Sequence, residues 1–214
     1  MRTGVFIVFE GLDGAGTTTQ AELMKRWLDE AGAGPVYLTR EPTNGPVGSL
    51  IRSALRRQLV LDAHTFALLF AADRMEHLAS DLREKLDRGV TVICDRYYLS
   101  SFAYQWLDLK TELEWLEQLN ARAIPPDLTI LLDVPAEVCI ERIRRARSRV
   151  ELFEEVDRLR GVRENYLAIA HGPRSQRERI VVVDGNRLAE AVHAEVRAVV
   201  QAEWGEAFVK AHQA

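Results

Sequence analysis

The chain has 214 residues, 47% of them hydrophobic, and a formal net charge of −4 at pH 7. Its length is enough to bury a sizeable core within one domain, and the acidic balance supplies no global positive field for a nucleic-acid backbone, so polymeric nucleic acid is not expected as the main partner. No run approaches the ~18 apolar residues of a membrane span and the N-terminus lacks a basic region followed by a long apolar stretch, so no membrane partner is expected and the cytoplasm is the expected compartment.

The first predicted strand is VFIVFE at 5–10, followed by GLDGAGTTTQ, Gly11 to Gln20, and a helix expected over 17–31. Glycines between a strand and a helix are what a phosphate-binding loop needs, because its amides must turn inward through positive φ angles and close backbone approach. Gly11, Gly14 and Gly16 meet that need, with Leu12, Asp13 and Ala15 between them, and Thr17, Thr18 and Thr19 open the helix. A helix N-terminus adds unpaired N–H groups and partial positive charge. Thr18 stands where a hydroxyl would hold Mg²⁺ beside the β and γ phosphates. The pattern G-x-x-x-x-G-K-[ST], however, requires lysine where the chain has Thr17. Sliding the register does not recover it: Lys25 falls ~12 Å further along the helix and faces away from the loop's mouth. On the loop alone, a nucleotide site and a structural glycine turn both stay open, and Asp13 reads either as a ligand contact or as a turn-forming Asx.

Further along come a strand PVYLTR at 35–40, helices over 46–57 and 64–87, a strand VTVICD at 90–95, and a helix over 98–120. A strand LTILLDV at 128–134, helices over 135–146 and 152–171, a strand RIVVVD at 179–184 and a helix over 187–204 complete the pattern. Short β-branched runs alternating with helices predict an α/β fold with a five-stranded parallel sheet. Most of the strand runs end in a carboxylate, and ligands bind at the carboxyl ends of such strands. Cys94 and Cys139 fall in apolar runs and read as buried thiols of a reducing compartment. The segment RIRRARSR crowds Arg142, Arg144, Arg145, Arg147 and Arg149 together. It is either a solvated helix end or a place that an anion visits.

With LTREP at 38–42, LFAADR at 69–74, CDRYYLSSFAYQ at 94–105, PPDLTILLDV at 125–134 and RENYLAIA at 163–170, the sequence resembles the thymidylate kinases over most of residues 5–184. The resemblance implies one P-loop nucleoside-monophosphate-kinase-like domain over 1–214, with an arginine-rich lid at about 142–152. It implies transfer of the γ-phosphoryl of ATP to dTMP with Mg²⁺ held by Thr18, and a homodimer. ATP would lie on residues Gly11 to Thr19. The acceptor would meet Asp13, Arg40, Phe70, Arg74, Arg96, Ser100, Ser101, Tyr104 and Gln105, with Arg96 on its phosphate and Phe70 stacked on the base. Asp95 and the lid residues Arg144, Arg145, Arg147 and Arg149 are the catalytic candidates, an arginine from the lid offsetting part of what Thr17 lacks. The loop after TREP reads TNGPVG rather than a glycine pair followed by threonine, and Glu151 and Glu154 stay unassigned. The alternatives are a nucleotide-binding homologue with weakened catalysis and a kinase for another pyrimidine monophosphate.

Overall fold

The computed structural model describes residues 3–109, 113–146 and 153–205. In chain order it forms β1 (Phe6–Gly11), α1 (Thr17–Glu30), β2 (Val36–Arg40), α2 (Pro46–Leu55), α3 (Ala63–His77), α4 (Arg83–Asp87) and β3 (Thr91–Asp95). Then come α5 (Tyr98–Leu109), α6 (Leu113–Leu119), β4 (Leu128–Asp133), α7 (Ala136–Ala146), α8 (Phe153–His171), β5 (Ile180–Asp184) and α9 (Ala189–Trp204).

The five strands pair in the order β2-β3-β1-β4-β5, every neighbouring pair parallel. Helices α1 and α9 pack together on one face, while α5 and α8 pack together on the other, as right-handed crossovers on either side of β1 require. Covered on both faces, the central strands β1 and β3 are buried at every position, whereas the edge strands β2 and β5 are mostly half-buried. That is why their sequences read as continuous apolar runs without alternation. The chain leaves β1 toward β2 and leaves β3 toward β4, in opposite directions across the sheet. Adjacent strands whose exits diverge open a crevice at their carboxyl ends, and that crevice holds the site.

All five expected strands are present within a residue of their predicted ends. Two helices differ. The segment expected as one helix over 64–87 contains a wider π turn at Leu78–Leu82 between α3 and α4, which keeps Leu78, Leu82 and Leu86 all fully buried. The segment expected over 98–120 is helical as α5 and α6, on either side of 110–112, which lie outside the described residues. Helix α2 begins with Pro46 in its first turn, where the missing N–H is not needed, and stops soon after Leu55, since Arg57 adopts the left-handed φ of 57°. Helix α3 is capped by Asp62, which accepts from the His64 and Thr65 amides, both at 3.0 Å. No helix among the described residues is long and apolar enough to cross a membrane.

Candidate active site

The loop between β1 and α1 is shaped by its backbone. Gly14 has φ 85° and Gly16, the N-cap of α1, has φ 99°. A Cβ on Gly14 would stand 2.6 Å from the Cys139 carbonyl oxygen of α7, so this position tolerates no side chain. Helix α1 has no side-chain cap and no acidic residue in its first turn, which leaves its N-terminal amides and dipole available to an anion. From behind, Arg142 clamps the loop: Nη1 donates to the Gly14 and Ala15 carbonyls at 3.4 and 3.3 Å, and Nη2 to the Gly185 carbonyl at 3.1 Å. Arg142 therefore serves the loop's main chain, which accounts for part of the arginine crowding without a visiting anion. Leu12 and Ala15 are buried in the core, and Thr17 is only 5% exposed. Lys25 pairs with Asp29 on its own helix at 2.5 Å, so it does not serve in place of a loop lysine.

At the end of β3, Asp95 accepts from the Thr18 hydroxyl at 2.5 Å through Oδ2, joining loop and strand. Its other oxygen, Oδ1, is buried without a hydrogen-bond partner among the described residues. One hydroxyl and one carboxylate oxygen, facing a site for phosphates, fit a Mg²⁺ ion that takes its remaining ligands from phosphate oxygens and water.

The next residue, Arg96, adopts a left-handed φ of 71° while its amide donates to the Phe9 carbonyl at 2.8 Å. Its guanidinium donates to Asp13 Oδ1 at 2.7 Å and to Ser100 Oγ at 3.2 Å, and it lies 5.6 Å from the centre of the Tyr104 ring. Tyr104 Oη in turn accepts from the Asp13 amide at 3.0 Å. Loop, strand end and α5 are thus tied through one arginine.

Behind that arginine lies Glu10, fully buried on β1. Its carboxylate accepts from the Tyr97 and Ser100 amides at 2.9 and 3.1 Å, from Ser100 Oγ at 2.6 Å and from Tyr166 Oη at 3.0 Å. Burial raises the pKa of Glu10 above its ordinary value, against the Ser100 hydrogen bond and the charge of Arg96, which both lower it. Sequence reasoning gave Glu10 and Tyr166 no role. The signal available was a carboxylate at the end of a strand, and the RENYLAIA segment that carries Tyr166.

Arg74, 1% exposed, lies beside that network rather than in it. Its Nη2 pairs with Glu41 at 2.8 Å, Nη1 meets Asn120 and lies 3.5 Å from Ser101 Oγ, and its guanidinium carbon stands 5.1 Å from the Tyr97 ring centre. Glu41, joined to Pro42 by a cis peptide, also meets His77 Nδ1 at 3.1 Å. Phe70 packs edge-on against Phe66 with centroids 5.0 Å apart, and Gln105 is buried with its Oε1 unpartnered among the described residues. The structure thus brings Arg74 and Ser101 together, with Gln105 one helical turn beyond Ser101.

Two cavities meet at Thr18, which lines both. One, of about 610 Å³, also takes in Arg40 and Asp95. The other, of about 910 Å³, takes in Asp13, Gly14, Gly16, Thr17, Arg96 and Tyr104. Of the lid arginines, Arg144 is exposed near the end of α7 and Arg145 pairs with Glu141. Arg147, Arg149 and Glu151 lie outside the described residues, as does most of the expected lid. Both cysteines are buried; burial pushes the Cys139 thiol up to about 12 and Cys94 well above its ordinary value, as inert core thiols require.

The profile of the family described as Thymidylate kinase matches residues 9–196. The chain is similar to the "Probable thymidylate kinase" of Pyrococcus horikoshii, 41% identical over 205 residues that cover 94% of this chain and 97% of the relative. It is similar as well to those of Pyrococcus abyssi, 42% identical over 206 residues with the same coverage, and Pyrobaculum calidifontis, 41% identical over 197 residues covering 92% and 96%. Matched from β1 into α9 and sharing the parallel sheet of the nucleoside monophosphate kinases, the chain belongs to the thymidylate kinase family.

Proposed function

We propose that the chain transfers the γ-phosphoryl of ATP to dTMP, giving ADP and dTDP. The observation that carries this reading is that the glycine loop and Arg96 face one cavity, so donor and acceptor phosphates meet there. An oxygen of the acceptor phosphate forms the new bond to the γ phosphorus while the bond to the bridging oxygen of the departing ADP breaks. No protein atom joins the reacting chain, and catalysis is positioning plus electrostatics.

In this reading the loop from Gly11 through Thr19 holds the donor phosphates by its amides. Arg96, already oriented by Asp13 and Ser100, exchanges intramolecular contacts for a bidentate grip on the acceptor phosphate. Asp13 is then released toward the sugar 3′-OH. Arg40 approaches from the adjoining cavity, Tyr104 packs against the deoxyribose, and Phe70, Arg74, Ser101 and Gln105 receive the thymine. Thr18 and Asp95 would hold Mg²⁺, which when bound neutralises charge on the β and γ phosphates. Arg144 and Arg145, with Arg147 and Arg149, supply the lid's positive charge. We take residues 1–214 as one kinase domain with its lid at 142–152, working as a homodimer in the cytoplasm on small nucleotides.

Competition of dTMP, dUMP, dCMP and UMP in one ATP-dependent assay tests the acceptor. The expected order has dTMP first, with dCMP strongly rejected because a site that hydrogen-bonds the thymine edge leaves polar groups unpaired against cytosine. Preference for another monophosphate would refute the assignment.

A further inference from the structure

Among the described residues, the cavity of about 910 Å³ is lined by four arginines, Arg52, Arg56, Arg96 and Arg158, and by a single acid, Asp13. Three of the four guanidinium groups are committed elsewhere. Arg52 donates to the Thr43 carbonyl and to Ser49 Oγ at 2.8 Å, fixing the loop ahead of α2. Arg96 holds Asp13 and Ser100. Arg158 forms a two-pronged pair with Asp108, its Nη2 at 2.9 Å from Oδ2. Arg56, the C-cap of α2, donates its backbone amide to the Arg52 carbonyl at 3.1 Å, but its guanidinium makes no hydrogen bond, ion pair or ring contact with any described residue. A cation at a helix C-terminus is mildly favoured by the dipole, yet that field does not fix the guanidinium, which stays free to meet a ligand.

The same cavity is lined by Thr17, the residue at the lysine position of the loop pattern. That lysine reaches the β and γ phosphates in a complete P-loop. We propose that Arg56 supplies the missing charge, reaching across the cavity from the end of α2 to the γ-phosphoryl of the bound nucleotide. This rests on the kinase reading above and adds one residue to it. An arginine suits the task, because its planar fork can follow phosphoryl oxygens and its charge does not depend on pH in the physiological range. The ligand chemistry is a terminal phosphate, whose two sources here are the donor's γ group and the acceptor's single phosphate.

The test is a cycle of wild type, Arg56→Ala, Thr17→Lys and the double variant, with Arg56→Lys as a charge-preserving control and thermal melting to confirm folding. Turnover is measured alongside calorimetric affinity for ATP, ADP, dTMP and thymidine. Arg56→Ala is expected to lower kcat about tenfold or more and to weaken ATP but not ADP. Both losses should shrink to less than about threefold in the Thr17→Lys background, since the two cations perform one task, and Arg56→Lys should recover much of the loss. Equal losses in both backgrounds, no loss at all, or a loss confined to dTMP relative to thymidine would overturn the assignment. Absence of turnover in every protein would refute the kinase reading instead, while the ATP-to-ADP comparison would still decide the role of Arg56.

Discussion

On the acceptor side, Arg96, Asp13, Ser100, Glu10 and Tyr166 form one continuous hydrogen-bonded chain, and Arg74, Glu41, His77 and Asn120 form a second beside it. On the donor side, the loop around Gly14 and Gly16 presents main chain, held from behind by Arg142. The first half is specified by side-chain identity and the second by backbone shape. A half built of amides keeps most of its anion affinity when one side chain changes, because glycine conformation and helix dipole do not depend on Thr17. A buried network of charges lacks that tolerance, since removal of any member leaves its partner desolvated and unpaired.

Breaking the acceptor half at its most buried ion pair should have the largest effect. Glu41→Ala strands Arg74, 1% exposed, and is expected to cost ~3–5 kcal/mol in stability, read as a lowered midpoint in urea with an unchanged slope. A loss under about 1 kcal/mol, the worth of an exposed pair, would mean that the pair is solvated. On the donor side, Gly14→Ala combines φ 85° with a Cβ 2.6 Å from the Cys139 carbonyl, so the loop must move. The expected outcome is a fall in kcat of about 10- to 100-fold through misplaced phosphates, with dTMP affinity measured by calorimetry nearly intact. An equal loss of dTMP affinity would show that the two halves are not separable.

The smallest effect is a pH dependence. Because burial raises the folded pKa of Glu10, the folded state holds that proton more tightly than the unfolded chain does. The stabilisation is complete below the ordinary carboxylate pKa and is lost as pH rises through the raised value. Urea stability of the wild type relative to Glu10→Gln should therefore decline as pH rises through that window. A difference that grows with pH would mean that the four donors around the carboxylate outweigh its burial.

The same contrast explains what could be read in advance. All five strands, and the loop with its helix, were legible because apolar runs and glycine spacing are local signals. The grouping of Asp13, Arg96 and Tyr104 was reached through motif resemblance, residues far apart in the chain that only the sheet order brings together. Glu10 was visible as a strand-end carboxylate, yet its partners Ser100 and Tyr166 lie 90 and 156 residues away, a separation that periodicity does not bridge. The crowded arginines toward the end of α7 are uniform in composition. Packing separates them: Arg142 is spent on the Gly14 and Ala15 carbonyls of the loop and Arg145 on Glu141, while Arg144 is left exposed. Arg56 carried no local signal, since an arginine at a helix end is ordinary until the cavity it faces is known.

Phosphorylation of dTMP at this site without a loop lysine requires that the rest of its positive charge suffice. The direct test is steady-state turnover of the wild type and Thr17→Lys side by side, with ATP, Mg²⁺ and dTMP. The expected result is clear dTDP formation by the wild type and a gain of less than about tenfold on introducing lysine, well below the ~10²–10³ attached to a single irreplaceable donor. No turnover by the wild type, or a gain of that larger size, would contradict it and show that the lysine's place stands vacant.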